Sequence, residues 1–521
     1  MAVQNSHIAE ARDKTTTIKV LSLHKMSIIL SKTDYLLFRE CPKNAWYKIH
    51  KPELYYKSEL SDFEKAIIET GNEVEIVARQ MFPGGVLIEG RDAKAQDTTR
   101  NYISKNQLII FQPIFSVDNF LAALDILKFN PEDRSYSIYE VKATSEIDDK
   151  SHYHDLAFQV ILLRKLGYQV KSSHLIHLNS EYVRSGDLNI AELFKIEDVT
   201  TAVDGLCQNV LVEMEKAVGY LSSEKEPNGS CCCIYKGRSK HCSTFKHSNP
   251  HVPEYGVHDI SRIGNSKAKL QELVDNNIFD LKDIPAHIKF SDIQKNQITT
   301  HILNEAIIQK DKITEELNTL LFPLYFLDYE TFPCAIPRFD GFIPYQQIPF
   351  QYSLHVLDSV GAELKHFEFL HADSCDPSDY IARSLQKNIG NTGSVIVWNK
   401  TFECKINKEL GFRVPDLKNI MDSVNDRIYD LMDIFLKQYY VHKEFKGKTS
   451  IKSVLPILVP DLSYKVLNIQ EGGTASQQWN KIVTANITDK ERNEIAQSLK
   501  EYCKLDTYAM YAIWRHLQEL C

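Results

Sequence analysis

The sequence predicts an α/β protein in which two α/β cores are joined by a helical connector. Three observations carry this. Short apolar strand-like runs alternate with helix-period segments in both the first and the last parts of the chain. At 521 residues the chain exceeds one ordinary core, so two or three are expected. Its composition, 43% hydrophobic and 25% charged, is that of a globular protein, and no apolar run approaches the roughly 20 residues that span a bilayer.

Residues 1–25 are polar and charged apart from the short run Ile18–Leu23. They lack an apolar signal core, so a loose tail before Met26 and a cytoplasmic location are expected. From 26 to 180 the elements follow in order. Helical periodicity covers Ser61–Gln80 and stops at Phe82-Pro83-Gly84-Gly85. Leu108–Phe115, Ala122–Phe129 and Tyr136–Val141 have strand patterns, the last two separated by a Pro-Glu-Asp turn. Asp155–Leu166 is predicted helical, and Val170–Leu178 is another apolar strand. The first core is assigned to 26–257. Its end, 225–257, is rich in Cys, Pro, Gly and Ser without periodicity, as a cofactor loop or domain edge is. Residues 258–319 form the helical connector, with two short helices over Leu270–Ile284 and Asp259, Ser291 and Asp292 as candidate caps. The second core, 320–521, has strands leading into Asp328-Tyr329-Glu330 and over Ser394–Trp398. It closes on a helix from about Asp489 to Leu520 capped by Thr488.

Net charge is -8, which neither requires nor excludes a nucleic-acid partner, because local basic patches decide that. Of eleven cysteines, seven are scattered singly, whereas Cys231, Cys232, Cys233 and Cys242 are bunched. In a reducing compartment such bunching points away from disulfides. The residues at 238–247 beside them are basic, as are Lys443, Lys446, Lys448 and Lys452, with Phe445 among these lysines. That second group is a candidate grip on a phosphate backbone, Phe445 stacking on a base, or else a solvated loop. Tyr345, Phe350 and Tyr352 line a single-strand channel or pack in a core. No P-loop or helicase motif is present, so unwinding would fall to a partner protein.

The chemistry-bearing pattern is clearest near the C-terminus. Asp328 and Glu330 stand two apart in an apolar strand, so both point to one face. Carboxylates aimed at one point repel unless a divalent cation lies between them. The strand ending at Trp398 leads into Asn399-Lys400-Thr401-Phe402-Glu403, and Tyr502 and Asp506 stand one helical turn apart. In order and spacing these segments resemble the three motifs of the DEDD (DnaQ/RNase H-like) 3′→5′ exonucleases: D-x-E-T, N-x-x-F-D with Glu403 in place of Asp, and Y-x-x-x-D. The resemblance, over 320–521, implies a two-metal phosphodiester hydrolase. Asp328, Glu330, Glu403 and Asp506 would hold Mg²⁺ or Mn²⁺ ions about 3.5–4 Å apart, and Tyr502 would orient the attacking water. Asp430 is either a helper carboxylate or a helix N-terminal charge.

In the first half, Leu124-Asp125-Ile126 on one strand is followed by Tyr139-Glu140-Val141-Lys142 on the next, with Glu140 and Lys142 on one face. This resembles the RecB-like branch of the PD-(D/E)XK nucleases, a restriction-endonuclease-like fold. The likeness implies Asp125 and Glu140 as metal ligands, Lys142 as the water-positioning base and Glu75 as a further ligand. Gln159 would be the branch's helical glutamine, although the tyrosine expected four residues on is Leu163. Some RecB-like nucleases hold a [4Fe–4S] cluster on one leading and three trailing cysteines. Cys41 with Cys231, Cys233 and Cys242 match that order, although C-x-C replaces the usual C-x-x-C and leaves Cys232 as a rival ligand. Zn²⁺ suits four thiolates equally.

Over a longer span, Ser31-Lys32-Thr33-Asp34-Tyr35, Cys41-Pro42-Lys43, Ser450–Pro456 and Gly472-Gly473-Thr474-Ala475 resemble a bacterial family joining a RecB-like half to a DEDD-like half. The implied function is hydrolysis of nucleic acid with single-stranded ends, DNA favoured, in repair or defence. The alternatives are an RNA-processing exonuclease, or a nucleic-acid-binding scaffold with one or both sites inert.

Overall fold

In the computed structural model, which describes residues 28–56 and 62–521, the chain is a mixed α/β protein. The expected tail at 1–25, its apolar run Ile18–Leu23 and the predicted helix start at Ser61 lie outside the described residues. The first half contributes β1 (Leu30–Ser31), β2 (Val86–Leu87), β3 (Ile109–Phe111), β4 (Ile114–Val117), β5 (Phe120–Ala123), β6 (Ile126–Asn130), β7 (Ser135–Lys142), β8 (Val170–Leu178) and β9 (Phe194–Asp198). Six of these form one sheet in the order β2-β3-β6-β7-β8-β9, and β1-β5-β4 form a small second one. Two predicted strands are each broken. Gln112 turns left-handed at φ 54 between β3 and β4, and Pro113 after it has no amide to donate. Opposite it, Leu124 and Asp125 interrupt β5 and β6, with Gln112 N–H donating to Asp125 O. Asp125 thus sits in a break between strands, where its side chain is free of the pleat. The helix Asp149–Lys165 begins one and a half turns before its predicted start, capped by Asp148, and packs its apolar face on β7 and β8.

The second half contributes β10 (Ile307–Ile308), β11 (Leu324–Pro333), β12 (Gln347–Leu357), β13 (Lys365–Leu370), β14 (Ser394–Val397), β15 (Ile428–Asp430) and β16 (Tyr440–Val441). The sheet order is β13-β12-β11-β14-β15. β11 is antiparallel to β12 and parallel to β14. Residues alternate across β11 by the period of two. Tyr325, Leu327 and Tyr329 enter a core with the helices Ser378–Asn388 and Lys400–Arg413. Leu324 and Phe326 enter a second core under the helix Asp489–Leu520. That helix begins where predicted, Thr488 accepting the Glu491 N–H.

The connector contains the helices Lys267–Asp275, Asp292–Leu303 and Lys310–Leu317, with turns between them. Ser291 caps the second, as predicted, whereas Asp259 is not itself an N-cap but the third residue of the 3-10 turn Val257–Asp259. Its carboxylate accepts from Gly256 N–H and from Arg238. Connector residues Leu270, Leu273 and Val274 share one small core with Cys231, Cys233 and Phe245, and β10 pairs with β16 of the second half.

The two halves are bonded to each other. Ala335 and Ile336 of the second insert among Val74, Ala78, Ile126 and Ile176 of the first. The Arg184 and Gly341 segments exchange backbone hydrogen bonds, and Tyr345 donates to Ala143 O at 2.5 Å. Truncation of Ile336, 7% exposed, to Ala is predicted to cost roughly 2–4 kcal/mol, as large-to-small core changes do. Chemical denaturation of the whole chain checks this, and an unchanged midpoint would show that the shared core adds no stability.

Candidate functional site

The carboxylate centre of the second half is set by β11. Asp328 and Glu330 share one face of this strand, and the helix Asp489–Leu520 brings Tyr502, Cys503 and Asp506 over it. Asp328, Glu330 and Cys503 each present a ligand atom within 4.8 Å of the others. Tyr464 donates to Asp506 Oδ1. Lys452 Nζ donates to Tyr502 Oη at 3.0 Å and to Gln470 O at 2.8 Å, and stacks over the Tyr464 and Tyr502 rings. Gly472 opens the helix Gly472–Thr484. A Cβ there would stand 3.8 Å from Glu330 Oε2 and 3.9 Å from Tyr502 Oη, so the backbone itself walls the site. The strand continues past the pair to Pro333, with a register shift after Glu330, so the carboxylates sit within β11 and not at its end.

Glu403 lies in the first turn of the helix Lys400–Arg413, whose N-cap is Asn399. It is 3% exposed, and its Oε2 has no hydrogen-bond partner. Asp430 accepts the Lys400 and Met432 N–H groups, which makes it the helix-terminal charge rather than a helper. The electrostatics follow from burial. Asp328 and Glu330 are held well above the usual carboxylate range by desolvation and then by Asp506, with Glu330 and Glu403 also acting on Asp328. Burial pushes Asp506 up to about 6 and Glu403 up to about 8. The cation bearing on Asp328, Glu330 and Asp506 is Lys452. Three carboxylates sharing one lysine, with a fourth carboxylate buried at Glu403, is a charge imbalance that a divalent cation relieves.

The first half gathers a different cluster. On β7, Glu140 accepts from Lys32 Nζ at 2.7 Å, Lys142 Nζ at 2.9 Å and Gln159 Nε2 at 2.7 Å. Asp155, one helical turn before Gln159, accepts from Lys142 at 2.6 Å and lies 3.2 Å from Lys32. Asp125 accepts the Val141 N–H at 2.8 Å. Gln112 bridges Asp125 to Glu75, which also pairs with Arg79 at 2.6 Å. Burial and then Asp125 and Asp155 raise Glu140, while Lys32 and Lys142 outweigh burial and hold Asp155 well below the usual range. These acids form no such set within 4.8 Å of one another, whereas Asp328 and Glu330 do so together with Cys503. Leu163, where the resemblance asks for a tyrosine, is fully buried in the core.

Cys41, Cys231, Cys233 and Cys242 place their sulfurs within 4.8 Å of one another, with Cys242 at 3.9 Å from both Cys41 and Cys231. Cys232 is exposed and turns to Glu40 O, which separates it from the set. Asn249 donates to Cys231 Sγ at 3.2 Å. Cys233 raises the Cys231 thiol, but hydrogen bonds from Cys242, Cys41 and Asn249 prevail and lower it to about 6. An apolar shell with a low-pKa thiol among four converging sulfurs fits a thiolate-bound metal.

Of the candidate nucleic-acid lysines, Lys452 is in the carboxylate centre, while Lys446 and Lys448 border a separate cleft beside Arg238 and Lys240. Phe445 is 3% exposed and packs on Phe435 and Tyr440, so it is unavailable for stacking on a base. Phe350 and Tyr352 are core residues. Tyr345 instead lines a cavity of about 520 Å³ that runs from Glu330, Phe402 and Gly472 to Ile67, Thr70 and Ala143 of the first half. The sequence reading missed Lys32, Gln112, Asp155, Tyr464 and Cys503. Asp155 was signalled by its i, i+4 spacing to Gln159, and Cys503 by its place between Tyr502 and Asp506. Gln112 and Tyr464 carried no local signal. Among the described residues no helix is long and apolar enough to cross a membrane.

Residues 325–450 match a family described as a domain of unknown function, DUF2779. That segment holds Asp328, Glu330 and Glu403 and stops short of Lys452, Tyr502 and Asp506. The chain is 28% identical over 218 residues to "Uncharacterized protein UU173" of Ureaplasma parvum, across 37% of this chain and 31% of that protein. It is 27% identical over 230 residues to "Uncharacterized protein MG366" of Mycoplasma genitalium, across 40% and 34% respectively. The aligned region thus spans about a third of the length of these curated relatives.

Two outcomes are expected. Because the folded pKa of Glu403 lies near 8, above its unfolded value near 4.5, its contribution is intact below pH 4.5 and is lost as pH rises through 8. Cation-free protein should therefore lose stability between pH 5 and 8, and Glu403→Gln should flatten that decline in thermal melts. A slope unchanged by the substitution would refute the burial of a titrating carboxyl there. Separately, metal analysis of the purified chain should find about one thiolate-bound metal per chain, reduced in Cys233→Ser. No metal in the native protein would contradict the thiolate site.

Proposed function

We propose that this chain is a metal-dependent nuclease whose second half is an RNase H-like, DEDD-type 3′→5′ exonuclease domain, acting on nucleic acid with single-stranded ends. DNA is favoured over RNA on the family resemblance alone. The observation that carries the reading is the meeting of Asp328 and Glu330 of β11 with Cys503 of the last helix, their ligand atoms within 4.8 Å of one another. Asp506 of that helix raises both carboxylates, Lys452 is the cation acting on all three acids, and Glu403 is buried with an unpartnered Oε2.

Asp328, Glu330, Glu403 and Asp506 are the residues that would hold Mg²⁺ or Mn²⁺. Bound there, such ions supply Lewis acidity that activates water and stabilises the leaving oxygen in phosphodiester hydrolysis. The chain's own groups do the positioning. Lys452, fixed by Gln470 O, holds the Tyr502 hydroxyl at the carboxylates, where it can orient a water. Tyr464 steadies Asp506. The adjoining cavity of about 520 Å³, lined by Phe402 and Tyr345, borders Glu330 and has room for a nucleoside.

The first half is read as the PD-(D/E)XK, RecB-like domain, with Glu140, Asp125 and Lys142 in the roles the resemblance implies. One observation favours a second reading of this site alone. Lys32 and Lys142 already neutralise Glu140 and Asp155, so the cluster can serve as a structural ion-pair network that needs no cation. For the four thiols, sulfur separations of 3.9 Å lie close to the edge, about 3.8 Å, of a tetrahedron with Zn–S bonds of 2.3 Å. A single zinc-like ion is thus preferred to a [4Fe–4S] cluster, whose eight atoms require a wider ring of thiolates.

The test is a gel assay of end-labelled single-stranded DNA and RNA with Mn²⁺. Asp328→Ala should abolish stepwise shortening from the 3′ end, a loss on the order of 10³-fold or more. Glu140→Ala should leave that shortening intact. If wild-type protein cuts neither polymer, the nuclease reading falls and a binding scaffold takes its place.

A further inference from the structure

We propose that the cleft between the cysteine-bearing lobe and the 446–448 turn is a binding track for a nucleic-acid phosphate backbone, separate from both carboxylate clusters. The proposal rests on the nuclease reading for the identity of the polyanion, but its geometry is independent of it. The cleft holds about 1450 Å³, with eight basic and three acidic side chains on its walls. In a chain of net charge -8, this cleft thus carries a local excess of cations.

Two of the three acids are paired, one of them with a cation of the cleft itself. Asp259 is held by Arg238 in a two-pronged pair at 2.7 and 2.9 Å, and Glu254 by Lys246 at 2.9 Å. By contrast Lys240, Arg262, Lys267, Lys446 and Lys448 are exposed, and none is ion-paired to a carboxylate among the described residues. Unpaired cations on facing walls repel each other, an arrangement that a polyanion stabilises.

Arg262 and Lys446 both line the cleft and both adopt left-handed conformations, φ 56 and 51. Lys446 is fixed by its place 5.9 Å over the Tyr255 ring. Gly447 is pressed so close to Gln297 that a Cβ would stand 2.6 Å from its amide. The turn is therefore held in place by the lobe it faces.

Position gives the cleft its purpose. Lys448 is four residues before Lys452 of the carboxylate centre, and Lys150 on the other rim lies in the first turn of the helix that carries Asp155 and Gln159. A strand lying in the cleft would be held between the two clusters, positioned through its phosphates and without sequence preference.

The experiment measures binding without catalysis. Anisotropy of a labelled single-stranded 20-mer is followed in EDTA with full-length Asp328→Asn, across a range of salt, with Lys240→Glu, Lys446→Glu and Lys448→Glu added together. The expected result is at least tenfold weaker binding, and a salt slope reduced by about 2–3, close to one for each phosphate no longer neutralised. Control reversals at Lys105, Lys387 and Lys408 should change affinity less than threefold. If the triple variant melts at a lower temperature, Lys448→Glu alone should still weaken binding severalfold. Equal weakening in the control variant, or none in the cleft variants, overturns the track. Equal affinity of the cleft for a poly-glutamate peptide overturns it in favour of an acidic protein partner. Because no cleavage is read, failure of the nuclease reading leaves this result interpretable.

Discussion

Like charges brought out of water onto one face of β11 are the constraint on which the second half of this protein depends. Glu330 and Asp506 are buried and Asp328 half-buried beside them; Asp506 raises the free energy of ionising both Asp328 and Glu330, and Glu330 and Glu403 add to that of Asp328. An apolar core would have been more stable at these positions. The fold holds them regardless. Phe326 and Leu324 on the same strand face anchor the last helix through Trp514 and Met510. The opposite face is locked by Tyr329, which donates to Asn407 at 2.6 Å. The strand cannot turn its acids outward without turning its core residues out as well.

The two acidic clusters meet the same physical demand in different ways. In the first half, two lysines from different elements enter among Glu140 and Asp155, and the charge is nearly balanced within the protein. In the second, one lysine serves the whole set and spends part of its donor capacity on Gln470 O and the Tyr502 hydroxyl. The demand for an external cation is therefore strongest at β11. The halves are tied by a shared core and by the cavity between Ala143 and Glu330, so a ligand at one cluster lies against elements of the other half.

Much of this arrangement was legible in the sequence where it was local. Strand alternation placed Asp328 with Glu330, helical spacing placed Tyr502 with Asp506, and the capping threonine fixed the start of the last helix. The bunching of Cys231, Cys232, Cys233 and Cys242 was visible in the chain, whereas Cys41 joined them only through the family resemblance, and Cys232 stayed a rival to Cys233 until the backbone was seen to turn its sulfur outward. What the sequence did not disclose depends on long-range meeting. Lys32 reaches Glu140 across 108 residues, and Tyr464 reaches Asp506 from a turn with no motif of its own. The breaks at Gln112 and Asp125 were hidden because each lies in an apolar run that looks continuous. Phe445 was misread for the same reason, since an aromatic among lysines looks exposed until the core beneath it is known.

The central claim, that the acids on β11 form a divalent-cation site, is tested most directly by calorimetric titration of Mn²⁺ into cation-free protein in two buffers of different ionisation enthalpy. The account predicts saturable binding that releases protons at pH 7, since raised carboxyls must ionise to coordinate, and loss of that binding in Asp328→Asn/Glu330→Gln. Binding without proton release, or binding that survives the double substitution, would contradict it.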